Sequence, residues 1–278
     1  MPPPTSAATR ASTQRQPRRS IPPLDPQRYA PSAERPLRVK ARPMAQQVDI
    51  HPHRHSWAQL VFSLSGAVRV STSASTFIVP PSRAVWIPPD VEHAVTAVEL
   101  ADLRTCHLHQ DLLQGPDWQS SRVLEVSPLL RELAVELAKS LDEGEPARRE
   151  ALLGELLVDE LRQARSLPLG VSLPQDARLR RLCEAMLDAP GRHASLQDWA
   201  QEVGASARTL TRLFKSELGT SFARWREQLL LAQALAMAAR GRPINVIASE
   251  LGYGSASAFS AMVTRTVGMS PRRFFAAA

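Results

Sequence analysis

The run His51-Pro-His53-Arg-His55 sets three imidazoles at alternate positions, so a strand here carries all three on one face, and Gln59 keeps the same parity. Imidazole nitrogens and an amide oxygen can hold a borderline transition metal or line a polar ligand pocket. A second pair, His107-Leu-His109, also shares a strand face but belongs to no motif and reads as ordinary sheet residues. Near the other end of the chain the chemistry is of another kind. Arg208, Thr209, Thr211 and Arg212 fall on the outer side of a helical stretch whose inward positions are Leu210, Leu213 and Phe214. A guanidinium can bond the O6 and N7 edge of guanine through two hydrogen bonds, worth ~1–3 kcal/mol of discrimination against the wrong base.

The elements that must position those arginines are legible from caps and glycines. Asp176 caps a first helix. Ser195, with Asp198 three residues on, forms a capping box for a second helix that carries Leu196, Trp199, Ala200 and Val203 and stops at Gly204. Ser206 then opens the third. A helix, a tight glycine turn and a second helix with a small residue at the crossing make a helix-turn-helix. The pattern recurs. Pro243 stands at a first helical position, Ile244, Ile247, Ala248 and Leu251 line one face, and Gly252 breaks the helix. The helix over 255–267 then buries Phe259, Met262 and Val263. Phe259 lies seven residues past its glycine and Leu210 six past its own, so the second turn is one residue longer. Between the two units a long helix over 222–239 offers Trp225, Leu229, Leu230, Ala232, Leu235 and Ala236 to both. Seven helical stretches are expected after residue 175.

Residues 176–278 resemble the DNA-binding domain of AraC/XylS-type transcription regulators, down to the closing Gly268-Met-Ser-Pro271 and the pair Phe274-Phe275. The resemblance implies sequence-specific binding to double-stranded DNA, with the third and sixth of these helices in the major groove. It implies base contacts from Arg208, Thr209, Thr211 and Arg212, and from Ser257 and Ser260 in the second unit. Phosphate contacts fall to Ser206, Lys215, Arg226 and Arg272. The second reading helix departs from the family pattern, because Ser255, Ser257, Ser260 and Ala261 stand where longer polar or basic residues are frequent. Short side chains reach base edges poorly, so readout there leans on backbone contact and DNA shape.

Residues 44–112 have the texture of short strands punctuated by Gly66, Pro80-Pro81 and Pro88-Pro89-Asp90, as in a small β-barrel or sandwich. The run His53-x-His55-x₃-Gln59-x₆-Gly66 resembles the first cupin motif, with glutamine in place of the usual glutamate. Pro88-Pro-Asp-Val-Glu-His93 resembles the second, with Asp90 where glycine is common and Ala97 where asparagine often sits. That resemblance implies that His53, His55, Gln59 and His93 converge inside the barrel. They would serve either as ligands to a divalent transition metal or as the polar lining of an effector pocket, with Trp57 and Trp86 as its walls. No cofactor is demanded by the sequence itself.

Two amphipathic helices are expected in residues 113–166, around Leu129–Leu141 and Leu152–Leu161, separated by Glu143-Gly-Glu-Pro146; they cover the barrel or pair two subunits. Residues 167–175, with two prolines and a glycine, read as a linker. Residues 1–43, rich in proline, serine and arginine, read as a disordered basic tail. Charge follows this division. Residues 1–45 carry a net +7 and 175–278 a net +6, whereas 46–174 carry a net −6, which separates a polyanion-facing part from a part with another task. Two cysteines without Cys-x-x-Cys spacing exclude a disulfide framework and point to the reducing cytoplasm. No apolar run approaches a membrane span.

The expected fold class is therefore α+β with two domains: an N-terminal cupin-like β-barrel with flanking helices and a C-terminal all-α domain of two helix-turn-helix units. The expected function is a non-enzymatic regulator that binds DNA in the cytoplasm and responds to a small-molecule effector or metal. A homodimer is expected, with RNA polymerase a candidate partner. The arrangement H-x-H-x-H-S-W with A-V-W-I-P-P further resembles a subgroup whose members control transporter or efflux genes. The alternative is a metal-dependent cupin enzyme with an accessory DNA-binding domain.

Overall fold

Alternating β-branched and polar residues between proline and glycine stops drive the first half of the chain into strands. The computed structural model describes residues 19–140, 147–167, 169–193 and 195–275. It opens with β1 (Arg19–Ile21) and a single helical turn, α1 (Pro26–Tyr29). There follow β2 (Leu37–Met44), β3 (Val48–His53), β4 (Ala58–Ser63), β5 (Val68–Thr72), β6 (Ser75–Val79), β7 (Arg83–Ile87), β8 (His93–Ala97), β9 (Ala101–Leu108) and β10 (Arg122–Glu125). Two helices, α2 (Pro128–Leu137) and α3 (Arg148–Gln163), lead to the short strands β11 (Ser166–Leu167) and β12 (Gly170–Ser172).

The strands form two six-stranded sheets, ordered β1-β3-β8-β5-β6-β12 and β11-β10-β7-β4-β9-β2. The expected barrel is thus a double sheet that is not closed by hydrogen bonds among the described residues. Its interior is filled by Val61, Val68, Val70, Val79, Val85, Ile87 and Val95. The outer face of the second sheet is covered by α2 and α3, where Leu130, Leu133, Leu157 and Leu161 meet Leu60, Phe62, Trp86 and Leu108. Because that sheet is covered on both faces, β4 and β7 are buried at every position and read as apolar runs.

The chain departs from the sequence reading at both ends of the sheet domain. Of the expected tail 1–43, residues 1–18 lie outside the described residues, but 19–43 are built into the fold. Arg19–Ile21 pairs in parallel with Val48–Ile50, and β2 pairs along its whole length with β9. Arg38, Lys40 and Arg42 alternate with Leu37 and Val39, which face the helices, and so fall on the face shared with His107, Thr105 and Leu103. These charges hide the alternation in the composition, and Pro43 is tolerated because β2 lies at a sheet edge. The expected linker 167–175 is likewise not free chain. β11 extends one sheet through β10, and β12 extends the other through β6. Leu141 and the breaker Glu143–Pro146 lie outside the described residues.

Seven helices follow: α4 (Ala177–Asp188), α5 (Leu196–Val203), α6 (Ala207–Leu218), α7 (Phe222–Ala238), α8 (Ile244–Glu250), α9 (Ala256–Val267) and α10 (Pro271–Phe275). Asp176 and Ser195 cap α4 and α5 as the sequence places them, and Ser206 and Ser255, read as the first residues of their helices, prove to be the caps of α6 and α9. All four side chains accept backbone N–H bonds. Pro243 sits one position earlier than expected, as the cap of α8. The long helix α7 is apolar nearly all round because it is central to the helical domain. Trp225, Leu229, Ala232 and Ala236 pack on the first helix-turn-helix unit, and Leu230, Leu231, Ala234 and Leu235 lie in the cluster that holds the second. No helix among the described residues is long and apolar enough to cross a membrane.

Candidate functional site

Two places concentrate chemistry: the outer face of α6 and the interior of the double sheet. At α6, Gly204 takes the left-handed conformation, with φ of 66°, that ends α5 and turns the chain into the next helix. Gly252 has φ of 80° at the equivalent point of the second unit. The turn residues 204–206 are fewer than 251–255, so the second turn is the longer, as the spacing indicates. Burial of Leu210, Leu213 and Phe214 leaves Arg208, Thr211, Arg212 and Lys215 exposed. The threonine hydroxyls are partly committed. Thr209 shares a hydrogen bond of 2.8 Å with the capping hydroxyl of Ser206, and Thr211 donates to the Ala207 carbonyl at 2.8 Å. Ser206 therefore serves first as a helix cap. Arg208 and Arg212, one turn apart, have no ion-pair partner among the described residues.

The second unit differs. On α9, Ser257 and Ala261 are exposed and Ser260 is half-buried. Its long cation, Arg265, was not anticipated as a contact and is paired with Glu227 of α7. Arg242 is paired with Glu250 on α8. Arg226, expected at the phosphate backbone, is half-buried beside the Gly252 turn, and its Nε is buried without a hydrogen-bond partner among the described residues. Arg272 stands exposed on α10.

Inside the double sheet the imidazoles meet at one cavity, but not by strand parity. The register shifts between Ile50 and His53, β3 ends at His53, and His55 lies in the loop that follows. His51 is exposed and does not line the cavity. His53 pairs across to His93, and Gln59 of β4 stands opposite His107 of β9. The nearest ring nitrogens of His53, His55 and His93 lie within 4.8 Å of one another. Asp90 adopts φ of 61°, which explains why glycine is common at this position, and its N–H donates to the His55 carbonyl at 2.8 Å. That bond fastens the second motif to the first.

Hydrogen bonds fix how the rings present themselves. The Nδ1 atoms of His53, His55, His93 and His107 lie 2.8, 2.8, 2.9 and 3.0 Å from the carbonyls of His51, Trp57, Val91 and Tyr29. A nitrogen facing a carbonyl must carry the proton, so each Nε2 presents a lone pair. Burial lowers the pKa of all four, His93 to about 3 and His107 to about 4, which keeps the rings neutral. The Gln59 amide lies between two of them, Oε1 2.9 Å from His55 Nε2 and Nε2 3.2 Å from His93 Nε2. Whichever way the amide is turned, its oxygen faces one imidazole lone pair. A cation among these atoms removes the conflict, and burial works against that cation being a proton.

The cavity also holds what the motifs did not reveal. His107, read as an ordinary sheet residue, lines it beside His55, with ring centroids 5.9 Å apart. Trp57 lines it too, stacked on His55 at 4.5 Å, and its buried indole N–H has no acceptor among the described residues. Trp86 does not. It alternates with Val85 and Ile87, so it faces outward under the helices, where its N–H donates to the Trp118 carbonyl at 2.9 Å. The segment after β1 covers the mouth: Pro23 and Leu24 line it, and the Pro22 carbonyl accepts both terminal nitrogens of Arg42 at 3.1 Å. The register of β9 against β4 is the signal that marks His107, and it is visible only once the strands are paired.

Comparison with known proteins agrees with this division. Residues 35–157 match the AraC-like ligand binding domain, and residues 199–277 match a helix-turn-helix domain family. The chain is 33% identical over 226 residues to the HTH-type transcriptional regulator NimR of Escherichia coli, covering 81% of each protein. It is 31% identical over 139 residues to the arabinose operon regulatory protein of Salmonella typhimurium, covering 49% of each. RipA, an HTH-type transcriptional regulator of Corynebacterium glutamicum, is 30% identical over 102 residues, or 37% of this chain and 31% of that protein. A ligand-binding double sheet joined to two helix-turn-helix units, over four-fifths of a full-length relative, places the chain in the AraC family of DNA-binding transcription regulators.

Proposed function

We propose that this regulator senses a divalent transition metal ion in its double-sheet domain and reads its operator chiefly through α6. The convergence of His53, His55, Gln59 and His93, with each Nε2 freed by a carbonyl on the opposite nitrogen, carries this reading. Such carbonyl partners orient metal-ligating histidines and raise their basicity. The donor set suits Zn²⁺, Fe²⁺, Mn²⁺ or Ni²⁺, and the ion would act as a Lewis acid that draws these donors together. The cavity volume of about 30 Å³ holds little beyond an ion and a water, which favours an ion over an organic effector. The same small volume disfavours the alternative of a cupin enzyme, since an organic substrate has no room.

The molecule acts in the cytoplasm as a homodimer paired through α2 and α3. Leu129, Leu152 and Leu156 support the pairing, being 45%, 54% and 42% exposed on those two helices. The N-terminal segment over the cavity mouth closes the site. The targets include a transporter gene, RNA polymerase is the partner at the promoter, and no catalysis is involved. Elemental analysis of the purified protein tests the metal assignment. One equivalent of ion is expected per chain, lost in His53→Ala and His93→Ala variants; a metal-free protein that takes up none of the four ions in titration would sink it. A gel shift with the protein's own upstream DNA against scrambled competitor tests specificity, and equal competition would remove that claim.

A further inference from the structure

The helical domain is not tethered loosely to the sheet domain. Ala67, Ile78, Val171 and Leu173 lie in one buried apolar cluster with Leu179, Leu182, Trp199 and Trp225 of the helical domain. Trp225 Nε1 donates to the Ser172 carbonyl of β12 at 2.7 Å. Two ion pairs frame this contact. Arg69 on β5 meets Asp188 at the end of α4 at 3.2 Å, with the side chains only 14% and 16% exposed, and also donates to the Leu187 carbonyl at 3.3 Å. Glu99 pairs with Arg240 beyond the end of α7 and is itself held by the Ala67 N–H at 3.2 Å. The linker's end is fastened to the first reading helix, since Glu217 of α6 accepts the N–H groups of Gln175 and Asp176 at 2.7 and 3.0 Å.

Domains in one chain ordinarily move relative to one another unless their interface is large and apolar. Here it is apolar, and the little-exposed Arg69–Asp188 pair adds geometry, because displacing one partner leaves a largely buried charge behind. Glu99–Arg240, whose arginine is half exposed, fastens the rim of the contact. The docked arrangement leaves Arg208, Thr211 and Arg212 exposed, so it orients the reading helix without covering it. The helical domain sits on the outer face of one sheet, and α2 and α3 on the outer face of the other. The double sheet is therefore a spacer of fixed thickness between the pairing helices and the reading helices.

We propose that Arg69–Asp188 and Glu99–Arg240 are specificity-determining pairs that set the spacing of the two operator half-sites this regulator accepts. The proposal rests on pairing through α2 and α3. A rigid dimer fits one separation of half-sites, because each added base pair both lengthens and rotates the target. The cations that read DNA are not involved: Arg69 and Arg240 are positioning residues.

The test uses full-length protein and a half-site selected by it from random duplexes, duplicated at spacings that vary in single base pairs. The wild type is expected to bind the best spacing at least tenfold tighter than one half-site and to lose that gain on a five-base-pair insertion. The Arg69→Ala/Arg240→Ala variant should bind a single half-site within twofold of wild type but vary less than threefold across all spacings. Proteinase K should cut it within 167–175, where the wild type resists. The exchanged pair Glu99→Arg/Arg240→Glu should restore the wild-type profile to an Arg240→Glu background, which separates geometry from misfolding. A double variant with the wild-type spacing profile, or a wild type indifferent to spacing, would overturn the proposal. Failure of pairing looks different: two half-sites would be bound no better than one at every spacing, and both readings would fall together.

Discussion

Gln59 occupies the position at which its chemistry matters most. As a neutral amide between the Nε2 atoms of His55 and His93, it leaves the donor set without a negative charge. A dication held there would keep its full charge in a buried site, so it would bind more weakly than with a carboxylate. Gln59→Glu is expected to tighten Zn²⁺ at least tenfold and Gln59→Leu to loosen it at least tenfold, measured by competition with a chelator; the same affinity in all three would remove Gln59 from the ligand set. At the reading face, Arg212→Ala should cost about 1–3 kcal/mol on the selected operator and under threefold on scrambled DNA. An equal loss on both would mean that Arg212 touches phosphate alone. The second unit is expected to behave otherwise. Ser257→Ala and Ser260→Ala together should shift operator affinity by less than threefold, because these side chains are short and the nearby Arg265 is held by Glu227.

At the scale of elements, the two exposed leucines of α3 are separated by one helical turn and lie outside the apolar cluster beneath the helix. A Leu152→Asp/Leu156→Asp variant should keep its melting temperature within a few degrees yet sediment as a monomer in analytical ultracentrifugation. A dimer that survives would place the pairing surface elsewhere. The turn between α5 and α6 supports a different expectation. Gly204→Ala meets no atom within 4 Å, so its cost is the left-handed conformation alone, about 1 kcal/mol in chemical denaturation. The helix caps were readable because a serine or aspartate hydroxyl or carboxylate at the first turn satisfies N–H groups that have no other partner. The edge strands β1, β11 and β12 were not, because two or three residues carry no period.

Across the whole molecule, charge separates along the chain as it does in the fold, with net −6 over residues 46–174 and +6 over 175–278. Lys215 and Arg272 remain exposed and without an ion-pair partner among the described residues. A Lys215→Ala/Arg272→Ala variant should lower the slope of log affinity against log salt by about 1.8, since each phosphate contact contributes about 0.9. An unchanged slope would remove both from the phosphate backbone. The sequence by itself determined the two-part division, the two helix-turn-helix units and the four donors of the cavity. The division and the helical units rest on local physics, namely caps, glycine turns and the 3.6-residue period of α6, whereas the four donors were marked by the resemblance of two short motifs to the cupin pattern. Tertiary structure alone decided the rest. His107 joins the cavity because β9 pairs with β4 in a register that sets it opposite Gln59, while Trp86, one position from Val85 and Ile87, is turned outward. Residues 19–21, 37–44, 166–167 and 170–172 become strands because neighbouring strands supply the hydrogen bonds that their own sequence cannot announce. The docking of the helical domain follows from side chains such as Arg69 and Asp188, 119 residues apart, whose pairing no local pattern records.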